Sequence, residues 1–140
     1  MFPTVFDKHD TDRIAEWKHF RDYLEQSPTP YEDVANLWGR APFVENYLDH
    51  RHPETWPDPW HILVDNRLDN LAICLGMLYT FKLTERFKDT MCEIFRLQDP
   101  RDHTPINILV VNEHVLNWNP RELVSKSVLN GLEINRIWSK

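Results

Sequence analysis

Two cysteines, Cys74 and Cys92, and a small set of imidazoles and carboxylates, Asp49, His50, His52 and His61, are the residues of this chain whose types could do chemistry. A catalytic cysteine needs a thiolate, which a helix N-terminus and an adjacent oriented histidine favour. In the stretch WPDPWHILVDNRLDNLAICLG (56–76) His61 precedes Cys74. The helix that carries Cys74 should start near Asp69 or Asn70, which sets the thiol beyond the first turn, where the helix dipole has faded. An apolar segment surrounds it, so a core thiol is expected. Neither cysteine stands in a CxxC pair, which points to reduced, buried thiols rather than a disulfide framework or a zinc site. The rival reading pairs Cys74 or Cys92 with His61 or His103 in a small hydrolase. Asp49, His50, His52 and His61 would make the metal-dependent version, since imidazole and carboxylate suit zinc. An HxH in a proline-containing polar loop reads more simply as solvated surface, so no metal and no cofactor is expected.

Other chemistries find less support. Asp65 with Asp69, or Glu32 with Asp33, could be carboxylate pairs, but acids in the first turn of a helix are explained by capping and the dipole. There is no GxGxxG or GxxxxGK[ST], and only three glycines occur in all, which disfavours a phosphate-cradling loop. Twenty-two acidic residues against sixteen basic ones give a net charge of −6. No stripe of Lys or Arg gathers, which argues against nucleic acid as a partner. No apolar run is long enough to span a membrane, and the opening MFPTVFDKHD lacks the pattern of a secretion signal, so synthesis in the cytoplasm and no membrane contact are expected. Of six tryptophans, Trp17 and Trp38 sit at helical spacing and read as core. Trp56, Trp60, Trp118 and Trp138 lie near element ends and are the candidates for contact with another chain.

The elements that must position these residues follow from periodicity and punctuation. Ile14, Trp17, Phe20 and Leu24 recur every three to four residues, predicting a helix from Asp10 to Gln26, capped by Asp10 or Thr11. Thr29, Pro30 and Glu32 supply the start of a second helix reaching Trp38. The two predict a helical hairpin whose apolar residues pack together or seek the rest of the domain. Residues 40–57, with three prolines, read as an ordered loop anchored by Phe43, Tyr47 and Trp56. Asp58 and Pro59 start a short helix. Asp69 or Asn66 caps the next, apolar nearly all round and therefore central, in which Gly76 implies a close neighbour. The runs 91–97, 106–111 and 114–118 predict strands, with Asn112 and Glu113 turning a tight hairpin. Asn119, Pro120 and Glu122 predict one more short helix, and 132–138 a last strand or a docked tail. The expected fold is a single α+β domain over 1–140: a helical hairpin (1–40), an ordered loop (41–57), and a core (58–140) of one buried helix with an antiparallel sheet of three to four strands.

Two resemblances follow. The order of helix, strand, tight turn and strand over 66–118 resembles a transglutaminase-like or papain-like core. In that core a cysteine opens the central helix in a GDC[DE]DxA setting, and a histidine and an Asp or Asn follow on successive strands. The matching stretch here is Asn66, Arg67, Leu68, Asp69, Asn70, Leu71, Ala72, with Leu68 in the nucleophile's place. His103 or His114, and Asn117, read as remnants of the other two positions, so this resemblance implies an inactive scaffold. The second rests on EWKHFRDYLEQSPTPYEDVANLWGRAPFV, WPDPWHILVDNRLDNLAICLGMLYTFKLTERFKD and INILVVNEHVLNW. These are similar to small proteins of tailed, T4-like marine bacteriophages. That similarity implies a non-enzymatic virion or assembly protein (tail, neck, baseplate or minor capsid), made in the host cytoplasm. Its expected partners are other phage structural proteins, with self-association as one form, and no small-molecule substrate is expected. An intracellular phage protein that binds a host protein is the further alternative.

Overall fold

The computed structural model describes residues 5–140, so the first four residues of the MFPTVFDKHD segment lie outside the described residues. Four helices precede five strands: α1 (Asp10–Leu24), α2 (Pro30–Trp38), α3 (Pro59–Asp65), α4 (Asn70–Lys82), β1 (Cys92–Gln98), β2 (Pro105–Val111), β3 (His114–Leu116), β4 (Leu123–Ser125) and β5 (Ile134–Ser139). Among the described residues no helix is long and apolar enough to cross a membrane.

Local chemistry sets the starts of α3 and α4. The Asp58 carboxylate accepts from the amides of Trp60 (3.0 Å) and His61 (2.8 Å), and Pro59 occupies the first helical position, where no amide is needed. Asp69 accepts from the Ala72 amide at 2.8 Å. Asn66 does not cap α4; it takes a left-handed φ of 50° and closes α3. The other two starts differ from expectation. His9, not Asp10 or Thr11, holds the cap position of α1, and Thr29 makes no side-chain cap on α2, where Asp33 instead receives the hydroxyls of Ser27 and Thr29.

The N-terminal helices combine the two expected arrangements: Trp17 and Trp38 meet each other, while α1 packs on α3 and α2 on α4. Arg13 of α1 ends α3 by donating to the carbonyls of Leu63 (2.7 Å) and Val64 (3.0 Å), which have no partner within their own helix. The loop over 40–57 is held by half-buried Tyr47 and Trp56, while Phe43, its side chain 61% exposed, ties the loop through a backbone bridge to Leu68.

The sheet is antiparallel, in the order β4-β3-β2-β1-β5. One face, carrying Cys92, Ile94, Leu109, Val111 and Leu116, packs into the core that α4 fills; the other buries Leu97, Ile108, Val110 and Val115 with Leu129. Asn112 turns the β2–β3 hairpin with a left-handed φ of 56°, as Asn readily does. Five strands form where three to four are expected. The missing one is β4: Asn119 and Pro120 do not start a helix but close a turn, with the Glu122 amide on the Asn119 carbonyl (3.2 Å) and Arg121 left-handed. The reversed chain then pairs Leu123 with Leu116. Residues 134–139 are a true strand, covering the free edge of β1.

At the centre, Trp17 and Trp38 are fully buried, and both indoles donate to the Thr80 hydroxyl, at 3.0 and 2.9 Å. That hydroxyl donates in turn to the Gly76 carbonyl (2.7 Å). A Cβ on Gly76 would come within 2.3 Å of the Trp38 ring, the close neighbour that a glycine in this helix implies. Thr80→Val keeps the shape but leaves two buried donors unpaired, and should cost about 2–4 kcal/mol in urea unfolding. Gly76→Ala should cost about 1–3 kcal/mol by overpacking.

Candidate functional site

The first turn of α4 is tied down from several directions. Leu68, just before it, is fully buried, and its backbone is bracketed by the loop: its amide donates to the Pro42 carbonyl (3.1 Å) and its carbonyl accepts from Val44 (3.0 Å). The second oxygen of Asp69 accepts the amides of Tyr47 (2.9 Å) and Leu48 (3.0 Å). Asn70 faces the sheet, where its Oδ1 accepts both the backbone amide (2.6 Å) and the side-chain amide (2.9 Å) of Asn107 on β2. With Nδ2 so engaged, Asn107 turns Oδ1 to Arg96, its cross-strand partner on β1, at 3.2 Å.

Asn117 follows β3 with a left-handed φ of 69°. This conformation ends the strand at Leu116 and aims the side-chain amide inward, at the carbonyls of Asn70 (3.1 Å) and Asn107 (3.0 Å) and at Cys74 Sγ (3.3 Å). The Cys74 thiol donates to the Asn107 carbonyl at 3.2 Å. Burial pushes this thiol up to about 12, although the hydrogen bond from Asn117 opposes the shift, and it pushes Cys92 up to about 11. Beside buried Leu68, the amides of Asn70, Asn107 and Asn117 thus join Cys74 in a hydrogen-bonded network at the head of α4. This network offers neither a nucleophile nor a proton acceptor matched to neutral pH.

A cleft of roughly 740 Å³ opens beside the network, with Arg96, His50, Gln98, Pro105, Asn135 and Ile137 along it. His50 is held below its usual 6.5, first by desolvation and then by the positive charges of Arg96 and Arg51, with Asp49 opposing.

The other residues singled out by sequence are dispersed. His103 is exposed in the β1–β2 turn, and His114 stacks on Tyr31 (4.0 Å between ring centres), so neither belongs to the network. Its β2 member is Asn107, which sequence reasoning missed; the available signal was a lone amide on the inward period of an apolar strand. Of the metal candidates, His52 pairs with Asp49 (2.9 Å), His61 pairs with Asp58 (2.8 Å), and His50 faces the larger cleft. Asp49 and His61 line a second cleft of roughly 500 Å³ with Tyr47 and Asp65. Among the described residues no group of three or more His, Cys, Asp or Glu is arranged to hold a metal ion. Of the interface candidates, Trp56 and Trp138 pack on each other (5.6 Å), Trp118 lies under the Arg101 guanidinium (5.0 Å), and Trp60 is 43% exposed while resting on Trp17 (5.9 Å).

This arrangement of a central helix on an antiparallel sheet is shared with a solved structure. The solved structure of Legionella pneumophila LapG superposes with a TM-score of 0.69 at 15% sequence identity, over 99% of this chain and 81% of LapG. No protein-family model matches the chain, and no curated protein sequence does. At this identity the likeness establishes the fold, and function must be argued from the side chains at the site.

Two measurements check the electrostatics. Native alkylation should leave both thiols unmodified, with rapid reaction only after unfolding. The NMR titration of His50 should fall below 6.5 and move upward in Arg96→Met, because removing a neighbouring cation relieves the imidazolium; a wild-type value at or above 6.5 contradicts this geometry.

Proposed function

We propose that this chain is a non-enzymatic protein of the transglutaminase-like fold that works by binding other proteins, and that those proteins belong to a bacteriophage particle or its assembly. The observation that supports the first part is the content of the site. Leu68, which the sequence resemblance sets in the nucleophile's place, is fully buried, and the amides of Asn107 and Asn117 are consumed by Asn70, Arg96 and Cys74. Hydrolysis by a thiol requires a deprotonated sulfur beside an imidazole. Here Cys74 meets an amide and a carbonyl, and Cys92 meets the Thr90 carbonyl at 3.7 Å. Asn70, Asn107 and Asn117 are uncharged amides, and the one cation they meet, Arg96, does not give up its proton, which suits rigidity and not proton transfer.

The particle assignment rests on the sequence resemblance, with Trp60, Val64, Phe43 and Met91 as apolar side chains exposed to a partner. Mass spectrometry of purified particles should find the chain. Its absence from particles, with a host protein co-purifying from infected cells, would replace the virion assignment by the host-binding one. Cys74→Ala should preserve function at a packing cost of about 1–2 kcal/mol; a folded Cys74→Ala protein without function would overturn the non-enzymatic reading.

A further inference from the structure

We propose that the cleft over β1 and β5 is a carboxylate-binding site that takes an acidic segment of a partner protein, held by the guanidinium of Arg96. The proposal rests on the protein-binding reading above and names the chemistry of the partner. Arg96 is half-buried, yet among the described residues no carboxylate pairs with it, whereas Arg51, Arg101 and Arg136 each have one. Its hydrogen-bond partner is neutral: Nη1 donates to Asn107 Oδ1, and Asn70 holds that amide so that its oxygen, not its nitrogen, faces the arginine. Orientation by a fixed amide leaves the rest of the guanidinium for a planar acceptor, the geometry that carboxylates match with two parallel hydrogen bonds.

The cleft gives an anion room, and one acid in its wall is already paired. Asp99, at the cleft wall, is neutralised by Arg101, whose Nε and Nη2 donate to its two oxygens at 2.8 Å each. His50 lines the same wall, and Glu133 is an exposed acid whose repulsion solvent screens. Roughly 740 Å³ exceeds what a lone carboxylate fills, and Leu132, Ile137 and Pro105 supply apolar wall for flanking side chains. β5 borders the cleft as the outermost strand of the sheet, so its outer backbone groups can pair with an extended peptide. This edge favours a peptide over a small free acid.

The test uses the full chain and a doubly blocked heptapeptide with two central glutamates, its glutamine counterpart, and free acetate. Calorimetry should show the glutamate peptide binding at least tenfold more tightly than the glutamine peptide, and Arg96→Met should remove that difference. In the wild-type protein the Arg96 Nε–H resonance should shift with the glutamate peptide, a readout that does not depend on the variant folding. Equal affinity for both peptides, or an unmoved Arg96 resonance, overturns the proposal. Displacement of the peptide by acetate at the same millimolar concentration would assign the site to small free acids and overturns the peptide source. Mass spectrometry of the same mixtures separates the two readings: a peptide bound but cut would overturn the non-enzymatic reading and leave the carboxylate site standing.

Discussion

The Asp69 carboxylate sits where three parts of the chain must meet, and its two oxygens do different work. One satisfies the Ala72 amide in the first turn of α4, and the other takes the amides of Tyr47 and Leu48. A buried carboxylate that accepts three backbone amides has its hydrogen-bonding capacity met without a counter-cation. The loop over 40–57 is thereby held against the helix start, Leu68 is enclosed beneath Pro42 and Val44, and Asn70 is left facing the sheet. His50, two residues beyond the fastened Leu48, then lines the cleft.

From that point the polar interior is built outward through amides. Asn70 orients Asn107, Asn107 orients Arg96, and Asn117 closes the network on Cys74. An imidazole in the same position would titrate near neutrality and would carry a charge that the interior must solvate. An amide supplies both donors and acceptors without that cost, which is why a satisfied amide network can be sealed under a leucine.

The aromatic centre has the opposite character, being mostly apolar with one shared polar atom. Trp17 and Trp38 meet edge to face at 6.3 Å, and Phe6 meets Trp38 in the same way at 5.2 Å. The Thr80 hydroxyl lets two indoles be buried together without an unpaired N–H. Gly76 admits the Trp38 ring against the backbone of α4, joining α2 to the central helix.

Much of this was legible in the order of residues. Asp58, Pro59 and Asp69 act on amides two or three positions away, Asn112 turns a hairpin on its own backbone freedom, and Gly76 announces its neighbour by what it lacks. The place of Leu68 just before α4 also follows from its position ahead of the Asp69 cap. Tertiary structure alone decided that α1 would pack on α3, that Leu123–Ser125 would extend the sheet, that His103 and His114 would lie outside the polar network, and that Arg96 would stand opposite Asn107 at the mouth of a cleft. Caps and helix periods are contacts between near neighbours and leave their mark in spacing. Strand register and the closing of a loop over a helix join residues whose separation is arbitrary, and only the packing of the whole core selects them.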